Sequence, residues 1–424
     1  ASWGTGRGWS WFRGTTGWTG AEPPGVTGGR SGIESAARRC GLRPLRALEV
    51  DDGDGWLWAE RQAHLDVEGR LVRGLTRSDD FVAALTAGTT TLLDLFSATG
   101  AGIVSGERVT LIGRTPPAEM VAAIAGWLKR ALAVEADPDA ILPTIGSKEL
   151  VAHLPFQLGL GAQDVVAIPA IAYPTYDVGA KLAGAHVVTA DGVEQLEAAR
   201  VGSEAAGRSV KLVWLNSPSN PTGAVLGVDA LREIVAWARE HRILVVNDEC
   251  YIELGWDVRP VSILHPDVVG GTHDGVLAVH SLSKRSNLAG YRGAFITGDR
   301  ARVLELLEIR KHSGLISPGP VQAAMIAAYN DDAHVAEQKA RYGARRERLR
   351  SALIEAGFTI SGSAAGLYLW ASRGEDCWDT VGWLADRGIL VAPGAFYGAA
   401  AAQHVRVALT GTDSNITDAV ERLR

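Results

Sequence analysis

Helical patterns and apolar segments alternate along the chain from about residue 116 to about residue 300. The apolar segments, for example residues 211–215 and 243–247, are nearly continuous and do not alternate with polar residues. Such runs are typical of strands that are covered by helices on both faces of a sheet. The alternation therefore predicts an α/β domain with a largely parallel sheet.

The predicted elements divide the chain into three parts. A helix begins at Pro116 and Pro117, followed by helices over residues 147–158, 175–182, 193–206 and 228–240 and by strands over residues 164–168, 186–189, 211–215, 243–247, 276–279 and 293–297. Near Pro318 the pattern changes to a long helical region over residues 321–356, broken near Asn330; strands at 367–371, 389–391 and 404–409, a helix over 377–386 and a final helix from Ser414 follow. We expect a large domain over residues 116–318 and a smaller α+β domain over residues 319–424.

Residues 1–115 differ from the remainder. Six of the thirteen tryptophans precede residue 60, among glycines, arginines and threonines, and neither helical nor strand periodicity is present. We expect a poorly ordered extension rich in glycine and tryptophan. A shifted reading frame over residues 1–112 of a GC-rich gene would account for this composition, and resequencing the gene tests that hypothesis.

Charge and cysteine content narrow the function classes. With 42 basic and 48 acidic residues the formal net charge is -6, which argues against a nucleic-acid surface. Three widely spaced cysteines favour a reducing compartment without a disulfide framework, and the ten histidines lack metal-ligand spacing. No apolar run reaches the roughly 18 residues of a membrane helix, and the first residues lack the apolar core of a secretory signal. We expect a soluble, cytoplasmic protein that binds no metal.

The segment V-H-S-L-S-K-R-S-N-L-A-G-Y-R, residues 279–292, carries the strongest chemical signal. Lys284 lies between Ser281 and Ser283, and Arg292 follows eight positions later. A lysine amine can form a Schiff base with an aldehyde, and serine and arginine side chains bind phosphate. Pyridoxal phosphate carries both groups, so the segment predicts a site for this cofactor. Taken alone, a lysine flanked by serines is also typical of a solvated loop.

Two earlier segments suit the phosphate and the ring of this cofactor. T-I-G-S-K-E-L begins a helix, and the free N–H groups of Gly146, Ser147 and Lys148 are suited to a phosphate. Tyr173 follows a predicted strand, where open α/β sheets bind ligands, and could stack on a planar ring. An ordinary helix start and a tyrosine that packs at a strand end are the alternatives.

Polar residues at two later strand ends suit the other polar atoms of the cofactor. Asn220, in N-S-P-S-N-P-T-G, offers amide donors for a phenolate oxygen, and Tyr251 offers a hydroxyl for the same atom. Asp248, in V-N-D-E-C-Y, is a carboxyl at a buried position, where a pyridinium nitrogen would be a partner. Glu249 competes for this role, but strand alternation places it on the opposite face. The proline-rich segment alternatively forms only a rigid turn.

An arginine in the smaller domain suits a substrate carboxylate. Arg406 stands in the apolar strand H-V-R-V-A-L, where an unpaired guanidinium is costly. Its planar fork matches the two oxygens of a carboxylate. A structural salt bridge is the alternative.

The order of these segments resembles the fold-type I pyridoxal-phosphate aminotransferases of class I/II, over about residues 115–424. The closest similarity, through motifs such as L-N-S-P-S-N-P-T-G and V-H-S-L-S-K-R-S-N-L-A-G-Y-R, is to the actinobacterial N-succinyldiaminopimelate aminotransferases of lysine biosynthesis. The resemblance implies a large domain with a mostly parallel sheet, a smaller α+β domain and a homodimer with the active site at its interface. It also implies ping-pong amino transfer between amino-acid and keto-acid substrates, namely glutamate and N-succinyl-2-amino-6-oxopimelate.

The resemblance also implies a role for each candidate residue. Lys284 is the Schiff-base lysine, Asp248 the pyridinium partner, and Asn220 and Tyr251 the partners of the phenolate oxygen. Tyr173 is the stacking ring, and Arg406 binds the substrate carboxylate. The phosphate ligands are Ser281, Ser283, Arg292 and the amides of Gly146, Ser147 and Lys148.

The N-terminal part departs from the family pattern. Family members carry an early glycine-bearing substrate loop and a tyrosine that reaches the phosphate of the neighbouring subunit, whereas this chain has no tyrosine before Tyr173. An enzyme that binds cofactor but turns over slowly is therefore one alternative. The others are another amino-acid aminotransferase, a lyase or decarboxylase of the same fold, and a non-catalytic cofactor-binding module of a transcription regulator.

Overall fold

The computed structural model describes residues 118–424 with their side chains and, before them, the backbone of residues 100–105 and 108–113. The chain divides into two units, Ala1–Thr115 and Pro116–Arg424. In the first unit, strand β1 (Gly100–Ser105) pairs antiparallel with strand β2 (Arg108–Gly113). The expectations of a poorly ordered or frame-shifted extension fall on residues that lie, for the most part, outside this description.

A seven-stranded sheet and its helices form the larger part of the second unit. Its elements are α1 (Ala118–Leu132), β3 (Ile141–Ile145), α2 (Ser147–Gln157), β4 (Asp164–Ile168), α3 (Thr175–Leu182), β5 (His186–Thr189), α4 (Val193–Ala205), β6 (Ser209–Asn216), α5 (Val228–Glu240), β7 (Leu244–Asp248), α6 (Pro266–Val269), β8 (Val276–Ser281), α7 (Leu282–Arg285), β9 (Gly293–Gly298), α8 (Arg300–His312) and α9 (Gly319–Asn330). The strand order is β3-β9-β8-β7-β6-β4-β5, and β9 runs in the direction opposite to that of the other six strands. The α/β fold with a mostly parallel sheet is therefore confirmed.

The sheet buries apolar side chains on both of its faces. Consecutive strand residues fall into opposite clusters: Val213 belongs to the cluster that contains Trp127 and Phe295, whereas Trp214 belongs to the cluster on the other face that contains Leu154. Because both faces are covered, the strands need no polar side, which explains their continuous apolar runs. Helix α9 packs against α1 in the first of these clusters.

A second sheet forms the smaller part of the unit. Its elements are α10 (Ala333–Glu355), β10 (Thr359–Ser361), β11 (Tyr368–Ser372), α11 (Cys377–Ala385), β12 (Ala392–Pro393), β13 (Val405–Ala408) and α12 (Asp413–Leu423). The four strands are antiparallel in the order β10-β11-β13-β12. The smaller α+β part is therefore confirmed, and no helix within the described residues is long and apolar enough to cross a membrane.

Most predicted element boundaries agree with the structure, but one predicted strand is wrong, and strands β3 and β10 and helices α6, α7 and α8 were not predicted. Helices over residues 175–182 and 228–240 and the helix break near Asn330 are confirmed. The predicted strand over residues 389–391 is wrong: the backbone N–H of Ile389 binds the carbonyl of Leu384 at the end of α11, and β12 forms only at Ala392–Pro393. Helix α8 was missed because its apolar residues form no clear stripe, although Asp299 caps it by accepting from the N–H of Arg302.

Strand direction determines where the candidate site residues lie. Strands β4, β6, β7 and β8 are parallel, so their carboxyl ends lie at one edge of the sheet. The segments after these ends contain Tyr173, Asn220, Tyr251 and Lys284, and Asp248 is the last residue of β7. This edge is where open α/β sheets bind ligands.

Candidate active site

Lys284 lies in the one-turn helix α7, immediately after β8. Ser281 caps the turn, since its Oγ accepts from the N–H of Ser283 at 3.1 Å and lies 2.9 Å from the Ser283 hydroxyl. The Nζ atom of Lys284 is 5.8 Å from the centroid of the Tyr251 ring. The turn therefore presents the amine toward residues that follow β7.

A buried ion pair anchors the residue next to Lys284. The guanidinium of Arg285 lies 2.7 Å from Glu253 and 2.7 Å from Asp332, and its side chain is only 4% exposed. It also packs over the rings of Trp127 and Tyr329. Removing one partner of a buried pair leaves an uncompensated charge, so this contact fixes the backbone that carries the amine.

Asp248 is a buried carboxyl with two donors at its oxygens. The Tyr176 hydroxyl donates to Oδ2 and the Cys250 N–H donates to Oδ1, each at 3.1 Å. Burial raises the pKa of Asp248, whereas these hydrogen bonds and the charge of Lys284 oppose that shift. A positively charged pyridinium nitrogen bound next to this carboxyl would favour the ionised form of Asp248 further.

Glu249 lies on the opposite face of β7, as strand alternation predicts. Its Oε1 accepts from the Ile263 N–H at 2.7 Å and from Asn247 Nδ2 at 2.9 Å, and its Oε2 is 3.5 Å from His280 Nε2. Burial raises the pKa of Glu249 to about 8 and lowers the pKa of His280 to about 3. Glu249 and His280 together therefore keep one proton across neutral pH.

This retained proton makes stability depend on pH. Above the ordinary histidine pKa of 6.5, an unfolded chain carries no proton on either Glu249 or His280, whereas the folded pair keeps one until about pH 8. Stability should therefore fall by about 2 kcal/mol as pH rises through this window, at roughly 1.4 kcal/mol per proton and pH unit. Glu249→Gln should lack this decline. Denaturant unfolding of both proteins at the two ends of the window measures it, and equal declines in both would contradict the assignment.

Two of the expected phosphate ligands, Gly146 and Arg292, meet at the start of α2. Gly146 precedes this helix with a φ of 77°, and a Cβ at this position would overlap the guanidinium of Arg292. Arg292 donates from Nη1 to the Ala289 carbonyl at 2.8 Å, and Ser281 Oγ lies 3.4 Å from the carbonyl of Gly293. Arg292 therefore lies against the start of α2, and Ser281 contacts the residue that follows Arg292.

A second buried ion pair holds helix α2 in place. Arg310, on α8, binds both carboxylate oxygens of Glu149 at 3.0 and 2.7 Å, and it also donates to Gln157 at 3.3 Å. Glu149 stands two residues after Ser147, in the first turn of α2. The bidentate contact therefore restrains the turn whose N–H groups face the candidate phosphate position.

Asn220 and Arg406 are joined by a hydrogen bond. Asn216 Oδ1 accepts from the Asn220 N–H at 2.7 Å, which fixes the turn, and Arg406 Nη1 donates to Asn220 Oδ1 at 2.8 Å. Because its oxygen faces Arg406, the Asn220 amide has its Nδ2 as the donor end.

Arg406 packs between aromatic rings. Its Cζ is 4.0 Å from the ring centroid of Tyr368 and 5.2 Å from that of Tyr397. The Nε atom is buried without a hydrogen-bond partner among the described residues, and Arg406 makes no ion pair within residues 118–424. The salt-bridge alternative is therefore not observed in this part of the chain, and the guanidinium is suited to an anionic ligand.

Tyr173 lies beside the other candidate residues. Its ring is edge-on to that of Tyr176 at 5.7 Å, and the Lys148 ammonium is 5.8 Å from its centroid. Tyr173 is half-buried. Its position next to the start of α2 and to the partner of Asp248 is compatible with a ring that stacks on a cofactor.

Sequence reasoning missed three tyrosines at this site. Tyr176 donates to Asp248, the Tyr368 hydroxyl lies 2.9 Å from that of Tyr251, and Tyr397 flanks Arg406. The sequence could have indicated Tyr176, because a residue about one helical turn after Tyr173 is expected to lie near it. The roles of Tyr368 and Tyr397 depend on contacts between distant segments, which the sequence does not reveal.

The assembled side chains fit pyridoxal phosphate. The amine of Lys284, the buried carboxyl of Asp248, the donors on Asn220 and Tyr251, and the Arg292 cradle at Gly146 match its aldehyde, ring nitrogen, phenolate oxygen and phosphate. Within the described residues, no group of three or more His, Cys, Asp or Glu side chains could hold a metal ion.

Comparisons with known proteins agree with this chemistry. A family model described as aminotransferase class I and II matches residues 84–423. The chain is 57% identical over 312 residues to 4-dedimethylamino-4-oxo-anhydrotetracycline transaminase OxyQ of Streptomyces rimosus, a match that covers 73% of this chain and 84% of that protein. It is 60% identical over 284 residues to a probable aminotransferase of Mycobacterium tuberculosis, a match that covers 67% of this chain and 66% of the relative.

A similar solved structure is also that of an aminotransferase. The probable N-succinyldiaminopimelate aminotransferase from Thermus thermophilus is 28% identical with a TM-score of 0.64, and the match covers 72% of this chain and 83% of that one. The chain therefore belongs to the class I and II aminotransferases, enzymes that depend on pyridoxal phosphate.

Proposed function

We propose that this aminotransferase moves an amino group between glutamate and N-succinyl-2-amino-6-oxopimelate, whose product is N-succinyl-LL-2,6-diaminopimelate. The sequence motifs resemble those of actinobacterial enzymes for this reaction, and the similar Thermus thermophilus structure is named for the same substrate. In this proposal the reaction belongs to lysine biosynthesis. Glutamate as donor and the succinylated acceptor would occupy one site in turn.

The observation that carries the proposal is the environment of Arg406. Its guanidinium is held by Asn220 and by two tyrosine rings, and no acidic side chain of residues 118–424 neutralises it. A carboxylate next to the reacting carbon would supply the missing anion through two parallel hydrogen bonds. Glutamate, 2-oxoglutarate and the oxo end of the succinylated acceptor all carry such a carboxylate.

We propose the following roles for the chain's own residues. Pyridoxal phosphate, when bound, supplies an aldehyde and an electron sink. Lys284 Nζ would form the covalent link and, once displaced by the substrate amine, would take the proton from the substrate Cα and return it. Asp248 would keep the ring nitrogen protonated, and Arg406 would orient the substrate.

The remaining proposed roles are in binding. Asn220 Nδ2 and the Tyr251 hydroxyl would donate to the phenolate oxygen, and Tyr173 would stack on the ring. The phosphate would be held by Ser281, Ser283, Arg292 and the N–H groups of Gly146, Ser147 and Lys148. The support for this arrangement is that the Arg292 guanidinium fills the space where a side chain at Gly146 would lie.

Steady-state assays of the purified holoenzyme test the substrate. With 2-oxoglutarate as the second substrate, N-succinyl-LL-2,6-diaminopimelate should show kcat/KM at least about tenfold above that of unsuccinylated diaminopimelate, because an extra buried group contributes about 1–3 kcal/mol to discrimination. Parallel lines in double-reciprocal plots should accompany it. Arg406→Gln should lower kcat/KM about a hundredfold for both compounds, since each loses a charge-assisted contact.

A second candidate substrate comes from the Streptomyces rimosus relative. At 57% identity, that protein is named as the transaminase of 4-dedimethylamino-4-oxo-anhydrotetracycline. Assays with this ketone and an amino donor should be run beside those with the succinylated substrate. A higher kcat/KM for the tetracycline compound would replace the first candidate, and formation of products other than keto acids would favour a lyase.

We also propose that the enzyme is a cytoplasmic homodimer. The support is the family resemblance, in which the site lies between subunits, together with the odd number of widely spaced cysteines. Light scattering on the purified holoenzyme measures its mass, and a monomer with full activity would contradict the dimer.

A further inference from the structure

The hydroxyl groups of Tyr251 and Tyr368 form a buried pair. They are 2.9 Å apart, either can donate to the other, and the two rings meet edge-on at 5.8 Å between centroids. Both side chains are buried. Burial and the neighbouring Tyr368 raise the pKa of Tyr251 well above its usual value, so the Tyr251 hydroxyl keeps its proton.

Tyr368 also contacts the arginine proposed to bind substrate. Arg406 on β13 pairs with Trp370 on β11, so Tyr368, two residues before Trp370, lies on the same face of this sheet. The Arg406 guanidinium stacks on the Tyr368 ring at 4.0 Å. One side chain of the smaller sheet therefore touches both Arg406 and a residue that follows β7.

The hydroxyl contact of Tyr368 with Tyr251 and its ring contact with Arg406 have different chemical consequences. A phenol that accepts a hydrogen bond becomes a better donor, because hydrogen bonds in a chain polarise one another. If the Tyr368 hydroxyl donates to Tyr251, the proton of Tyr251 is directed away from Tyr368 and is available to a third atom. Because Arg406 stacks on the Tyr368 ring, any shift of Arg406 on binding an anion would also move Tyr368.

We propose that Tyr368 is a positioning residue, which orients the Tyr251 hydroxyl toward the phenolate oxygen of the cofactor and links that orientation to carboxylate binding at Arg406. This inference rests on the proposed binding mode of the cofactor. The titratable or charged groups that face the tyrosine pair are Lys284, Asp248, Cys250, Arg406 and Tyr397.

A pH titration of the visible absorbance of the holoenzyme tests the proposal. The absorbance reports the proton on the Lys284 nitrogen that is linked to the cofactor, and negative charge on the phenolate oxygen retains that proton. A donor to this oxygen withdraws charge and lowers the titration midpoint. Tyr368→Phe should therefore raise the midpoint by about half to one pH unit, the equivalent of one modest hydrogen bond.

Three further proteins make the outcome decisive. Tyr251→Phe should raise the midpoint more than Tyr368→Phe, and the double variant should match Tyr251→Phe, because the second hydroxyl acts only through the first. Tyr397→Phe is the matched control: its ring also packs on Arg406, and its midpoint should equal that of the wild type. With an unreactive dicarboxylate added, the midpoint of Tyr368→Phe should move less than that of the wild type.

The results separate this inference from the proposed binding mode. A shift in Tyr251→Phe without one in Tyr368→Phe would overturn the role of Tyr368 and leave the binding mode intact. No shift in either variant would overturn both. Additive shifts in the double variant would show that Tyr368 acts independently of Tyr251, which also contradicts the proposal.

Discussion

Replacing Lys284 by alanine is expected to abolish turnover and to remove the visible absorbance of the lysine-linked cofactor. The amine is the covalent anchor in the proposed site, and no other lysine lies on the turn that follows β8. The same atom serves as the base for the substrate α-proton, which alone contributes about 10²- to 10⁴-fold to a rate. We expect kcat to fall by about 10⁴-fold or more, measured in single-turnover and steady-state assays.

Lys148→Ala is the matched control for this variant. Its ammonium lies over Tyr173, beside the start of α2, so its loss should weaken cofactor binding and leave the lysine-linked absorbance in place. Circular dichroism should show both variants folded, because Lys284 makes no contact in the buried Arg285 ion pair. Full activity in Lys284→Ala, or loss of the absorbance band only in Lys148→Ala, would remove Lys284 from its assigned role.

The sequence was sufficient to predict which strand ends carry the candidate site residues. Continuous apolar runs predicted a sheet covered on both faces, and parallel strands place their carboxyl ends at one edge. The sequence placed Asn220 and Asp248 at strand ends and Lys284 just after a buried apolar run, and the structure brings the segments that contain them to the same edge. Alternation at the end of β7 also separated Asp248 from Glu249, the next residue, since successive residues of an extended chain face opposite sides.

Contacts between distant segments could not be predicted in the same way. Tyr176 and Asp248 are 72 positions apart, and Tyr251 and Tyr368 are 117 positions apart. Each pair depends on how helices and the smaller sheet pack, which no local period encodes. The misplaced strand at residues 389–391 has a related cause. Isoleucine has high strand propensity. However, the backbone N–H of Ile389 binds the Leu384 carbonyl at the end of α11 and so does not pair with a neighbouring strand.

Replacing Asp248 by asparagine is expected to lower kcat/KM by about 10²- to 10³-fold, the usual effect of removing one electrostatic contact from a reacting group. An amide cannot carry the charge that would keep the ring nitrogen protonated. The fold should persist, because the new amide oxygen can still accept from the Cys250 N–H and its nitrogen can donate to the Tyr176 hydroxyl. Glu249→Gln makes the same chemical change at the next residue, on the other face of β7, and should keep activity within about twofold. Equal losses in the two variants would show that the effect is structural, and Asp248→Asn activity near that of the wild type would refute the pairing of Asp248 with the ring nitrogen.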